Sequence, residues 1–380
     1  MAIKIKPAKA EDIIEYLRRL YLYTEQDLLA EITRKRSRQL VEYAEVASLE
    51  RVQEILSRMV DETFEYTPVM IEKIFYHSDK DFAGYKNARG IVSAQTGIEE
   101  TLAANLIGEV IDMAETAEKS IRELYTIARL EADTYRKAAL TSVARQEAAG
   151  KSWTTASAKM SQQLKRQGIT AFVDKAGRHW SITDYGNMAV RTTARQAEVA
   201  AVLSSREDDL WKISSVGSTC PVCAPLEGRV YSKSGLDPRF PPLSLAFGKV
   251  DPNGPDDLSN TYLNIHPNCL HALVPYTTAG KTPEEIQKDI DFSSPLLNPL
   301  TRDPRTKKQV KAYREKEKNR RKLKNDINQW RRYKAVLGGS MPTTFQTFQK
   351  HKRAGDDTYK KWMSEYRAQN REIKKALGGE

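Results

Sequence analysis

The sequence predicts a mainly α fold with a small α+β central domain, flanked by long N-terminal helices and basic C-terminal helices. Three observations lead there. Residues 1–150 carry few prolines or glycines, and their apolar residues recur at helical spacing. Residues 151–279 mix short β-prone runs with a Pro/Gly-rich segment framed by all three cysteines of the chain. Residues 280–380 return to helical patterning, now strongly basic.

In the first region, two helices over about 10–33 and 36–62 are expected to fold back as an antiparallel hairpin. A longer helix is expected from about Gly97 to Ala149. Ile98, Leu102, Leu106, Val110, Met113, Ala117, Ile121, Leu124 and Ala128 follow at steps of three or four, which places them on one stripe. Such a stripe is read first as the seam of a helical bundle, and second as a homo-oligomer contact. In the central region, a short helix over Thr154–Arg166 precedes a hairpin. Its strands are Ala171–Asp174 and His179–Ile182, joined by a turn at Lys175-Ala176-Gly177-Arg178. Thr183 can cap the next helix, which runs to about Ser204. Trp211–Val216 and Arg229–Tyr231 read as strands. In the last region, Thr282-Pro283-Glu284-Glu285 is a helix start. A basic helix follows from about Arg305 to Leu337 and is stopped by Gly338-Gly339. A short helix after Thr344 and a final one over about 356–376 complete the chain.

At 380 residues the chain is long enough for two or three cores. No apolar run approaches the roughly 20 residues of a membrane span, so no membrane contact is expected. The start Met1-Ala2-Ile3-Lys4 is charged too early for an export signal. An odd cysteine count argues against a disulfide framework and for a reducing compartment. The net charge of +11 is unevenly placed. Residues 301–380 hold 24 Lys and Arg against 9 Asp and Glu, whereas the first 300 residues hold 37 against 41. A localised basic segment implies a polyanionic partner.

Cys220-Pro221-Val222-Cys223 and His266-Pro267-Asn268-Cys269 are two tight pairs with metal-ligand spacing. Zinc takes four N/S donors in a tetrahedron, and a full Cys3His set leaves no open position for water. Cys220, Cys223, His266 and Cys269 are therefore the expected ligands of a structural zinc, with His271 as the alternative nitrogen. A redox CxxC is the competing reading, but Pro225 and Gly228 follow too closely for the usual helix start. The 42 residues between the pairs include six prolines and four glycines. A metal that ties the ends of so long a loop offsets part of its missing core.

No second set of metal-activating histidines stands apart from the knuckles, and GxSxG, GxxxxGK[ST] and HExxH are all missing. No catalytic residues are assigned and no enzyme is expected. The alternative is a zinc-stapled, nuclease-like enzyme. In the basic helix, Arg320, Arg321, Lys322, Lys324, Trp330, Arg331, Arg332 and Lys334 combine cations with an aromatic. That pattern suits non-specific contact with nucleic acid. Arg191 and Arg195, four apart, could bind an anion but more readily pair with carboxylates.

Several segments together resemble one family. They are Phe172-Val173-Asp174, Gly177-Arg178-His179-Trp180, Tyr185, Val190-Arg191-Thr192-Thr193, the run from Cys220 through Gly228-Arg229-Val230-Tyr231-Ser232, and His266-Pro267-Asn268-Cys269. The core over about 170–276 resembles the phage minor capsid protein 2 family, itself similar to Mu F-like head morphogenesis proteins. The resemblance implies a structural head-morphogenesis protein of a tailed phage, made in the host cytoplasm and built into the virion. It implies a place in the capsid interior or at the portal vertex, with the portal protein, the major capsid protein and packaged DNA as partners. In that family the last motif reads His-Pro-Asn-Cys-Arg-Cys. Here Leu270-His271 stands in place of Arg-Cys, which is why His271 competes with His266.

Overall fold

The computed structural model describes residues 9–33, 41–81, 97–139, 172–173, 177–269 and 271–376. Among them the chain is mainly helical, with two small antiparallel sheets. The N-terminal helices are α1 (Ala10–Thr33), α2 (Val41–Asp81) and α3 (Ile98–Ala139). The central elements are β1 (Phe172–Val173), β2 (His179–Trp180), α4 (Ile182–Ser204), β3 (Leu210–Ile213), β4 (Val230–Ser232), α5 (Ser244–Phe247) and β5 (Leu273–Pro275). The C-terminal helices are α6 (Pro283–Ser293), α7 (Lys307–Leu337), α8 (Phe345–Ala354) and α9 (Asp357–Ala376). The helix expected over Thr154–Arg166 and the turn residues Lys175 and Ala176 lie outside the described residues. The chain divides into two compact units, and each draws on all three sequence regions. One holds Met1–Arg18, Thr63–Glu109 and Asn187–Asn319; the other holds Arg19–Glu62, Val110–Gly186 and Arg320–Glu380.

In the second unit, α1 and α2 run antiparallel. Glu31 accepts from Ser48 at 2.9 Å and pairs with Arg51 at 3.0 Å, while Asp27 pairs with Arg58 at 3.0 Å. The number falls along one helix as it rises along the other. Helix α2 does not stop near residue 62 as expected but continues through Pro68 to Asp81. An internal proline costs about 3 kcal/mol. The buried stripe of Met59, Tyr66, Met70, Ile74 and Phe75 carries on across it and outweighs that cost. The α3 stripe is buried at Leu102, Leu106, Val110, Met113, Ala117 and Ile121.

The β1–β2 hairpin pairs Phe172 with Trp180 and Val173 with His179. Helix α4 is capped by Ser181 rather than Thr183: Ser181 Oγ accepts from the Asp184 N–H at 3.2 Å. Thr183 lies two residues further in, within the first turn. Its backbone N–H donates to buried Glu25 of α1 at 3.0 Å, and its hydroxyl reaches the same carboxylate. Gly186 lets α4 close on α1, because a Cβ there would collide with the ring of Tyr21.

In the first unit, β4-β3-β5 form an antiparallel sheet with β3 central. Trp211 and Ile213 on β3 are fully buried. Ile213 pairs with Leu273 of β5, and Lys212 with both Val230 and Val274. Strand β5 was not expected from sequence. Beside the sheet, Val230, Phe240 and Tyr276 form a core with Leu210 and Ile290. Helix α6 starts where expected, and its threonine cap is completed to a capping box: Thr282 Oγ1 accepts from the Glu285 N–H at 3.2 Å, and the Glu285 carboxylate accepts from the Thr282 N–H at 2.9 Å.

Arg229 is 2 % exposed and has no carboxylate partner among the described residues. Its guanidinium donates to the carbonyls of Pro225 (2.6 Å), Ser293 (3.3 Å) and Asn298 (2.6 Å), which lie around the C-terminal end of α6. That end carries the negative pole of the helix dipole, so the carbonyls stand in for an anion. Burial still lowers the Arg229 pKa. Arg229→Met would leave several buried carbonyls without donors. A loss of at least about 3 kcal/mol is expected in chemical denaturation, and an unchanged midpoint would contradict this role.

Candidate metal centre

The antiparallel pairing of β3 with β5 decides where the cysteines go. Because Ile213 ends β3 opposite Leu273, which begins β5, the chain leaving β3 and the chain entering β5 lie at the same end of the sheet. Seven residues beyond Ile213 stands Cys220, and four before Leu273 stands Cys269. Strand β4 enters from this end too, so Cys223 and Glu227 join them.

Each arm is a tight turn. The Cys223 N–H donates to Cys220 Sγ at 3.3 Å, and the Glu227 N–H donates to the Cys223 carbonyl at 3.1 Å. A 3₁₀ turn over Ala224–Leu226 follows, with Pro225 in its first positions. In the second arm, the Cys269 N–H donates to the His266 carbonyl at 3.0 Å. Asn268 takes φ 61°, the left-handed conformation asparagine tolerates better than most residues. Its N–H donates to Thr192 Oγ1 of α4 at 3.2 Å. Arg305 donates to the Thr219 carbonyl at 3.2 Å and braces the approach to Cys220.

The donors converge as two triads that share Cys223. In one, His266 Nε2 lies 3.4 Å from Cys220 Sγ and 3.1 Å from Cys223 Sγ. In the other, Cys269 Sγ lies 3.9 Å from Cys223 Sγ and 3.4 Å from His271 Nδ1. Around tetrahedral zinc, neighbouring N and S donors stand roughly 3.5–3.8 Å apart. The cluster therefore has the composition and nearly the spacing to hold a metal ion. All three cysteines are free thiols, and Cys223 and Cys269 are buried. Both rings are oriented from behind. His266 Nδ1 faces the Pro267 carbonyl at 2.8 Å, and His271 Nε2 faces the Glu227 carboxylate at 2.5 Å. Glu227 also accepts from the Val216 N–H at 3.0 Å. Such outer contacts select which ring nitrogen is offered to a metal.

The electrostatics favour the thiolate at Cys269 and the thiol at Cys223. The hydrogen bond from Cys223 holds Cys269 well below the ordinary thiol range, helped by His271. The same bond, together with burial, pushes Cys223 up. Burial works to lower His271, yet Cys269 and Glu227 outweigh it and raise its pKa. Arg195 of α4 reaches the His271 carbonyl and pairs with Glu198, so its role is structural pairing. Glu227 is the part of the site that sequence reading missed; its place four residues after Cys223 was the only signal.

The residues expected to meet nucleic acid fall into two groups. Arg320, Arg321, Lys322, Lys324 and Arg332 are exposed on α7. Lys324 lies 3.3 Å from Asp184 and 5.5 Å from the Trp180 ring centre. Trp330, Arg331 and Lys334 face inward, contrary to the sequence expectation. Trp330 is 2 % exposed, and its indole N–H donates to the Pro342 carbonyl at 3.2 Å. It joins Tyr333, Leu337, Met341, Phe348 and Trp362 in one aromatic core, so it cannot stack on a base. The Arg331 guanidinium lies 3.6 Å from Glu25, both largely buried. Lys334 is half-buried with its ammonium 5.0 Å from the Trp330 ring centre, and burial lowers its pKa.

Long helices and a small sheet that ends in a double Cys/His knuckle define a helical protein with one cluster of soft metal donors. Among the described residues, both groups of metal-competent side chains fall in that cluster, and no helix is long and apolar enough to cross a membrane. The chain belongs to the phage minor capsid protein 2 family, whose sequence model matches residues 5–337. The match ends at the last residue of α7, and α8 and α9 lie beyond it. No curated protein and no solved structure matches the chain. Family membership makes it a structural phage protein of the virion.

Proposed function

We propose that this protein is a head-morphogenesis subunit of a tailed phage, placed near the portal or the inner capsid surface. In this reading its sheet is stapled by one zinc ion, and it meets packaged DNA through exposed cations of α7. The observation that carries the reading is the family match over residues 5–337. Cys220, Cys223 and Cys269 would hold the ion with His266, and His271 is the alternative fourth ligand. A full set of N/S ligands leaves zinc no open position, so its contribution is cross-linking rather than chemistry.

The DNA contact rests on Arg320, Arg321, Lys322, Lys324 and Arg332. Among the described residues, Arg321, Lys322 and Arg332 have no ion pair or hydrogen bond. The triple substitution of Arg320, Arg321 and Lys322 to glutamine is expected to weaken binding to random-sequence duplex DNA by tenfold or more. The slope of log K against log salt should become shallower by about 2–3, since each lost phosphate contact removes about 0.9. Unchanged affinity and slope would remove α7 from the interface. The location is tested in a virion density map, where density at the portal vertex or inner shell supports the reading and density on the outer shell contradicts it.

A further inference from the structure

The helices beyond the family match form a built unit of their own. Helix α8 is capped by Thr344, whose Oγ1 accepts from the Thr347 N–H at 3.3 Å. It ends at Gly355, which takes φ 60° and ψ 26° and closes the helix through the His351 carbonyl. Asp356 then fixes the turn in both directions. One carboxylate oxygen accepts from the Tyr359 N–H at 3.0 Å, and the other faces His351 Nδ1 at 2.6 Å. Two residues thus join α8 to α9. Phe345 and Phe348 on α8, with Tyr359, Trp362, Met363 and Tyr366 on α9, pack on Trp330, Tyr333 and Leu337 of α7. The Trp362 indole N–H donates to the Ser340 carbonyl at 2.9 Å.

The outward faces of the same two helices are cationic. On α9, Lys360, Ser364, Arg367 and Arg371 follow at steps of four, three and four, all exposed and away from the Trp362 stripe. On α8, Gln346, Lys350 and Arg353 form a second exposed stripe that ends at the turn. Other cations of the pair are engaged: Lys352 with Asp326 at 2.6 Å, Lys360 with Asp357 at 3.2 Å and Lys361 with Glu365 at 4.0 Å. Among the described residues, Lys350, Arg353, Arg367 and Arg371 have no ion pair or hydrogen bond. A protein-binding face would be expected to offer an apolar anchor. Among the described residues of α8 and α9, no large apolar side chain is exposed. A rigid row of guanidinium and ammonium groups without an anchor fits a regular array of phosphates instead.

We propose that the α8–turn–α9 pair is a second, appended duplex-DNA contact surface, carried by Lys350, Arg353, Arg367 and Arg371. It deepens the DNA reading given above but rests on its own residues, because α7 could fail as a contact while this surface stands. The test uses the full chain and a short random-sequence duplex, followed by fluorescence anisotropy across a salt series. The variant with Lys350, Arg353, Arg367 and Arg371 all changed to glutamine is compared with the α7 triple variant. The four-glutamine variant is expected to keep the wild-type melting curve, bind at least tenfold more weakly, and show a slope shallower by about 3. A variant with Arg353, Arg367 and Arg371 changed to lysine should retain the wild-type slope.

If the four-glutamine variant binds like wild type while the α7 variant does not, this inference is overturned and the α7 reading stands. The reverse pattern overturns the α7 contact and supports this surface. A wild-type chain that ignores duplex DNA but captures polyglutamate overturns both, and identifies the cations as a docking face for an acidic protein.

Discussion

Cys223→Ser is expected to cost the protein its metal and to lower its melting temperature by roughly 10 °C, corresponding to a loss of about 4 kcal/mol or more. Cys223 is the one donor common to both triads, so its loss breaks both, and Cys220, Cys269, His266 and His271 would have to shift to close a Cys2His2 set without it. It is 1 % exposed, and nothing from solvent can take its place. The loss should be large because the ion would tie together three segments of separate origin: the exit of β3, the entry of β4 and the entry of β5. The 42 residues between the knuckles give the sheet one short strand, β4, and otherwise hold only short local elements, α5 and two 3₁₀ turns among them. Chelation of the wild-type protein should reproduce the effect, and zinc should reverse it in the wild type but not in the variant. The measurement is a thermal melt with parallel elemental analysis. A variant that keeps the wild-type melting temperature would show that the thiols pack without a structural ion.

Phe348→Ala is expected to act on the other compact unit and leave the metal site alone. Phe348 is fully buried, stacked on Trp362 with ring centres 6.0 Å apart and edge-on to Tyr333 at 6.0 Å. Truncating a phenylalanine in such a core costs about 3–5 kcal/mol. Few apolar residues besides this cluster hold α8 and α9 to α7, so the cost should appear locally. Protease cleavage between residues 340 and 376 should accelerate, while zinc content stays at the wild-type level. Equal cleavage rates would mean that the aromatic core does not latch these helices.

Much of this fold was legible in the sequence because the signals were local. Thr282 and Glu285 lie three apart and build their capping box without help from elsewhere. Thr344 and the 220/223 and 266/269 pairs are equally short-range. What escaped depended on distant partners. Leu273-Val274-Pro275 is too short and too close to a proline to read as a strand, and it becomes one only because β3 offers a free edge. Thr183 has the chemistry of a cap, but Glu25, more than 150 residues earlier, claims it, and Ser181 caps instead. The second helix was expected to end near residue 62, whereas the apolar stripe on both sides of Pro68 keeps α2 continuous. Trp330 was misread for a different reason. The cations around it hide the i, i+3, i+7 pattern of Trp330, Tyr333 and Leu337, which packs against Phe348 and Trp362 in helices encoded later. The choice of fourth ligand was open in the sequence, and the structure explains why: Glu227 orients His271 as well as Pro267 orients His266.

The central claim is that the Cys/His knuckles hold one structural zinc. X-ray absorption at the zinc edge on the purified full-length chain, with elemental analysis of the same sample, tests it most directly. The account predicts about one zinc per chain, surrounded by three sulfurs at about 2.3 Å and one nitrogen at about 2.0–2.1 Å. A chain purified without chelators that contains no zinc, takes none up when it is supplied, and melts at the same temperature with and without it would contradict the account.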